Sequence, residues 1–296
     1  MTPWRARALT AGVLAGLCSL AVGAPLLADL FPDKNLETAV RKYVFAKRNN
    51  QEPLTEDDVK DLSTIEARGK KIQDLTGLEK CRSLAQLVLS GGEIADVGPL
   101  KGLKNLQLLD LSKNKIQDVS PLGELKKLQY LQLEGNQVSD LKPLAKLENL
   151  RNLYLTRNKV KDLAPLKDLT KLVSLYVDHN QVEDLKPLAK LKGLSSLDLR
   201  HNEVQDLSPL KEHTEYRYLL LDHNRIQDLA VLVAMAKKDA EKKRFSPFWN
   251  LHLSGNPLSD AAKSEQIAAL KKLGGRITFK PAEKGKEKKP AKRGKF

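Results

Sequence analysis

Cysteine is almost missing from this 296-residue chain, which has only Cys18 and Cys81. Cys18 lies in an apolar N-terminal run that reads as a leader, so the remaining chain keeps one cysteine and no internal disulfide can form. Its fold must rest on an apolar core, in which Cys81 is expected as a small buried residue rather than a reactive thiol. Aromatic residues make up 5% of the chain and histidines number five, so the placement of each is informative. No G-x-S-x-G, H-E-x-x-H, P-loop or dinucleotide-binding motif occurs. We therefore expect no enzymatic activity and no cofactor. After the N-terminal run, no segment approaches the ~20 apolar residues of a membrane span.

What is present describes an ordinary globular chain with unusual ends. Hydrophobic residues are 41% and charged residues 30% of the sequence, with a formal net charge of +14. Arg5 and Arg7 precede an apolar run from Ala8 to Val22, and small residues follow at Ala21, Gly23 and Ala24. Residues 1–24 therefore read as an export signal, with an uncleaved anchor as the alternative. At the other end, residues 280–296 hold eight Lys/Arg against Glu283 and Glu287, a net +6. This tail has no apolar periodicity and is expected to be disordered. It offers an alternative mode of action, contact with anionic lipid or an envelope polymer ahead of nucleic acid. The leader carries +2, which leaves +6 for residues 25–279.

A 22-residue period organises that middle. Asparagines stand at 114, 136, 158, 180, 202 and 224. Leucine or a relative falls eight, five and three residues before each, as in Leu128, Leu131 and Leu133. Isoleucine or valine follows two residues after, aspartate four after, and then Pro-Leu, as in Val138, Asp140 and Pro143-Leu144. This L-x-x-L-x-L-x-x-N pattern is the signature of a leucine-rich repeat. Each L-x-L predicts a short strand whose leucines point inward, and each proline predicts the start of a tight helical turn. One repeat cannot bury its apolar side alone, so repeats must stack. The expected fold is an α/β leucine-rich repeat solenoid, a right-handed superhelix with a parallel concave sheet and short 3-10 turns on the convex side. The phase weakens at the edges, where Gly92 and Lys70 take the Asn place. After Asn224 the period stretches to 32, with Phe248, Leu251, Leu253 and Asn256 resuming it, and the extra residues predict a true helix. About nine rungs with a C-terminal cap fit residues 62–279.

Residues 25–61 should form a helical N-terminal cap. Leu36, Val40 and Val44 mark one face of a helix after Pro32-Asp33. A second helix starts at Thr55, with Asp58 as its capping-box partner and Leu54 and Val59 as its hydrophobic staple. The C-terminal cap should be a helix through Ile267, Leu270 and Leu273, a Gly274-Gly275 stop and a last strand "RITF". The cap "FPDKNLETAVRKYV" and the repeated "L-x-x-L-x-L-x-x-N-x-I/V-x-D-L-x-P-L" resemble those of the internalin-type leucine-rich repeat proteins of bacteria. That resemblance covers residues 30–279 and implies an exported recognition protein, secreted, periplasmic or at the cell surface, that binds a protein or peptide on its concave sheet.

Side chains between the inward leucines point out onto that sheet. Four of the six tyrosines fall there: Tyr130, Tyr154, Tyr176 and Tyr218. Tyrosine supplies large contact area at low entropy cost and is enriched in binding hot spots. Leu220 adds apolar surface, and Asp178, Asp198, Arg200 and Asp222 would orient a partner. His179, His201 and His223 precede three of the asparagines at 22-residue spacing. A straight column of three spans roughly 10 Å and fits tetrahedral zinc poorly. Arg200, between Asp178 and Asp222, predicts an Asp–Arg–Asp ladder that repels a metal. The histidines are therefore expected as rim contact residues rather than ligands. His213 stands where Leu191 and Leu169 stand in other rungs, and as a polar residue it is expected at a partly exposed rim.

Overall fold

The computed structural model describes residues 29–240 and 249–280. The expected export signal, residue Phe248 and the tail beyond Lys280 lie outside the described residues. One ten-stranded parallel sheet runs in strict sequence order. Its strands are β1 (Thr64–Glu66), β2 (Gln86–Val88), β3 (Leu108–Asp110), β4 (Tyr130–Gln132), β5 (Asn152–Tyr154), β6 (Ser174–Tyr176), β7 (Ser196–Asp198), β8 (Tyr218–Leu220), β9 (Asn250–His252) and β10 (Arg276–Thr278). Each is three residues long because only the L-x-L core of a repeat is extended. From β1 to β8 the register pairs residues 22 apart, as in Leu109↔Leu131 and Leu131↔Leu153. Every rung therefore presents equivalent positions to the same place in space.

Opposite the sheet, short 3-10 turns such as Ser120–Glu124 and Lys142–Lys146 begin with proline in the first turn. The aspartate of each repeat, whose role the pattern alone left open, caps these turns. Asp118, Asp140 and Asp206 accept the amide two residues on at 2.8, 2.9 and 2.8 Å. Between sheet and turns, the repeated leucines form one continuous core in which nearly every member is fully buried.

The asparagines join the rungs. In Asn158, Nδ2 donates to the carbonyls of Leu155 at 3.0 Å and of Leu133, one rung earlier, at 2.8 Å. Its Oδ1 accepts the amide of Val138, also in the earlier rung, at 2.9 Å. The same bonds recur at Asn114, Asn136, Asn180, Asn202 and Asn224. They satisfy backbone groups that turn into the core beyond the last strand pairing, where no other partner reaches.

Both caps form. Asp33 accepts the amides of Asn35 and Leu36 at the start of α1 (Lys34–Arg41). The helix is shorter than expected, and Val44 lies in a following turn while remaining buried. The reason is Arg41, whose guanidinium binds the carbonyls of Lys47, Asn50 and Glu52 and folds the chain back. Thr55 donates to Asp58 at the start of α2 (Glu56–Val59), with Leu54 and Val59 buried. In the longer repeat, α3 (Ala230–Asp239) replaces the 3-10 turn. At the C-terminal end, α4 (Ile267–Lys272) leads through Gly274 into β10, which pairs parallel with β9.

His213 corrects the sequence expectation. It is fully buried, not exposed at a rim. Its repeat position is an inner one, shared with Cys81, Leu103, Leu125, Leu147, Leu169 and Leu191, all fully buried. Placement in the repeat overrides the polarity of the residue. The ring stacks on buried Tyr216, with centroids 5.2 Å apart. Nδ1 lies 3.2 Å from the Leu210 carbonyl, and Nε2 has no hydrogen-bond partner among the described residues. Burial lowers its pKa, opposed by the carbonyls of Leu210, Leu188 and Leu191.

Two predictions follow from this core. Asn158→Ala strands the amide of Val138 and two carbonyls in an apolar layer, and should cost roughly 2–4 kcal/mol in urea unfolding. An unchanged midpoint would contradict the stapling role. His213→Leu restores the repeat's leucine and should stabilise by about 1 kcal/mol at pH 7. Because the folded-state pKa lies below the unfolded one, the unfolded chain takes up the proton first, and stability falls as pH drops below about 6.5. His213→Leu should make the stability profile flatter between pH 7 and 5.

Candidate functional site

The outward residues of β3–β9 make the candidate site, a sheet floor bordered by the turns that follow the strands. Register decides which side chains meet. Tyr154 and Tyr176 are direct cross-strand partners, and their rings stack with centroids 4.9 Å apart and planes 25° from parallel. Tyr130 stands one strand earlier and two positions earlier in its repeat, yet its ring reaches within 5.2 Å of Tyr154. Three of the four expected tyrosines therefore form one file across three strands. The Tyr130 hydroxyl donates to Gln132 at 2.6 Å. Burial in the file, with Tyr154 and Asp110 nearby, pushes the Tyr130 pKa up to about 12, so it stays a neutral donor. Tyr218 stands apart on β8, 49% exposed, beside half-buried Leu220.

The expected ladder through Arg200 does not form. The guanidinium turns onto its own strand instead, with Nε 2.9 Å from one Asp198 oxygen and Nη2 2.6 Å from the other. Two residues apart on one strand face, the pair needs no reach across rungs, and its forked geometry satisfies a carboxylate that is only 1% exposed. Asp198 in turn holds the Arg200 pKa above its ordinary value. Asp178 accepts from the Thr156 hydroxyl and lies 2.9 Å from His179 Nδ1. Asp222 accepts the Ser254 amide at 2.7 Å, with His252 Nδ1 3.6 Å away.

His179, His201 and His223 stack in a column along one rim, with centroids 4.1 and 4.3 Å apart. Parallel rings at this spacing cannot converge their nitrogens on one ion, and among the described residues no group of three or more His, Cys, Asp or Glu could hold a metal. Burial, then the charges of His179 and His223, lower the pKa of His201. The backbone accounts for the position. All three histidines are left-handed, with φ of 54°, 52° and 56°. Lys113 and Arg157 at the same repeat position are left-handed too, and Gly91, Gly135 and Gly255 fill it in other rungs. Those glycines were the sequence signal for a strained turn, because glycine tolerates positive φ without penalty and histidine is among the residues enriched there.

Comparison with known proteins agrees with this architecture. Residues 104–212 match the leucine-rich repeat family model in four overlapping windows, 104–146, 126–168, 148–190 and 170–212. No match is found among curated proteins. Among solved structures, internalin C2 from Listeria monocytogenes is 29% identical, with a TM-score of 0.64 over 85% of this chain and 95% of that one. The functional domain of InlJ from the same organism is 20% identical, with a TM-score of 0.63 over 86% of this chain and 60% of its own. A plant peptide hormone receptor, RGFR1 in complex with RGF2, is 21% identical over 62% of this chain and 34% of its own, with a TM-score of 0.51. The last two likenesses are of fold alone. By its repeats, its helical cap and its likeness to internalin C2, this chain has an internalin-like leucine-rich repeat fold.

Proposed function

We propose that this protein is an exported recognition module that binds a protein partner on its concave sheet. The observation that carries this is the tyrosine file of β4–β6. An interior-quality array of rings lies half-exposed on an open surface and closes no core of its own. Such rings give a partner a large rigid contact at small entropic cost. Tyr218 and Leu220 extend the apolar contact, while Arg200, held by buried Asp198, supplies polar orientation together with Asp178 and Asp222. His179, His201 and His223 line the rim as further contacts. The positive, apolar leader composition of residues 1–24 supports export. Contact between the basic tail and an anionic polymer is the competing reading, favoured by the net +6 of residues 280–296.

A pull-down tests the two readings. Changing Tyr130, Tyr154, Tyr176 and Tyr218 to Ala should remove captured partners, each hot-spot ring contributing about 2 kcal/mol, or roughly 30-fold in affinity. Unaltered far-UV circular dichroism would show that the fold survives. Equal recovery by wild type and variant sinks the concave site. Capture that instead vanishes, with its salt dependence, on removal of residues 281–296 assigns binding to the tail.

A further inference from the structure

Charge is segregated on this solenoid. The chain as a whole carries +14, yet the concave floor does not share it. The outward positions of β1–β9 and the two residues after each hold six carboxylates, Glu66, Asp110, Glu134, Asp178, Asp198 and Asp222. Against them stand two guanidiniums, Arg68 and Arg200, for a net −4. At the opposite turns Lys101, Lys126, Lys146, Lys167 and Lys190 are exposed, interspersed with turn aspartates such as Asp118, Asp140 and Asp162. Of the floor carboxylates, Arg200 neutralises Asp198. Among the described residues Asp110 accepts only from Ser112, through its amide and hydroxyl. The Glu134 carboxylate pairs with no side chain among the described residues. Asp178 and Asp222 pair directly with imidazoles, with the Arg200 guanidinium, bound to Asp198, within electrostatic reach of both.

Of these four carboxylates Asp110 lies on β3, and Glu134, Asp178 and Asp222 lie two residues beyond β4, β6 and β8, beside the tyrosine file of β4–β6. At about 4.8 Å per strand they run along the sheet in steps of roughly 5–10 Å. The floor is therefore rich in acceptors and apolar ring edges and poor in available cations. Resting on the concave-site reading above, we propose that the partner presents a cationic segment, rich in arginine or lysine, laid along the sheet from β3 to β8. Its charged heads meet half-buried Asp110 and Glu134, with the buried carboxylates Asp178 and Asp222 adding to the field from below, and its aliphatic stems cover the tyrosine rings. Lys113 and Arg157, exposed on the histidine rim, confine that charge to the floor by repelling cations at the edge.

The test uses the full chain and a fluorescein-labelled nona-arginine peptide, with nona-glutamate as control. Nona-arginine should bind, nona-glutamate should not, and the affinity should fall as salt rises. Asp110→Asn with Glu134→Gln should weaken binding at least tenfold. Lys126→Gln with Lys146→Gln, on the opposite face, should leave it within about twofold. Equal binding by wild type and the D110N/E134Q variant overturns the proposal, as does no binding of nona-arginine. In the latter case tyrosine-dependent capture of a partner can persist, so the concave-site reading survives on its own. Self-association that E134Q abolishes makes a second copy the occupant. A tenfold gain in peptide affinity on removing residues 281–296 makes that segment the occupant. Either result overturns the assignment to a partner.

Discussion

The asparagine amide inserted between rungs is the interaction on which the rest depends. A three-residue strand leaves most of each 22-residue repeat without sheet pairing, yet the chain must turn back through an apolar layer. Asparagine has both a donor pair and an acceptor on a short stem, so one side chain serves carbonyls in two rungs and an amide in the earlier one. Aspartate lacks the donors, and serine is too short to span both rungs. At Gly92, where the array begins to depart from its pattern, a side chain would meet Ile72 O at 2.7 Å and Asn114 Oδ1 at 2.9 Å. The neighbouring rung's asparagine and backbone already fill that place.

This inner constraint explains what was legible in the sequence. Inner positions must repeat, so the rungs, the caps and the register follow from the 22-residue period. Outer positions are free of it, so the period places Tyr130, Tyr154 and Tyr176 on one face without saying that their rings touch. That contact depends on how Tyr130 leans across a strand boundary, which is a matter of rotamers and neighbours. The same freedom misled the expectation for Arg200. Column spacing placed it between Asp178 and Asp222, but a carboxylate two residues away on its own strand offered a closer bidentate partner.

Repeat position, before side-chain chemistry, explains both His213 and the histidine column. His213 looked like a surface residue because it is polar, yet its position is a core position in six other rungs. His179, His201 and His223 recur because they stand at a left-handed turn that glycine, lysine and arginine fill elsewhere. A position that accepts glycine, lysine and histidine is selected first for its backbone. The stacking at 4.1 and 4.3 Å then follows from the rung spacing.

Net charge is misleading in the same manner. A total of +14 points toward anionic partners. The sheet floor, however, holds more carboxylates than cations, while the turns on the far side of the leucine layer mix lysine with aspartate. At physiological ionic strength the Debye length is about 8 Å, which damps the field of one face at the other. Exposed charges on the two faces are largely screened from each other across the molecule. A partner approaching the floor meets a local −4, not the average of the chain. A stacked repeat thus gives its two faces different charge within one small body, and each face has to be assessed by its own residues.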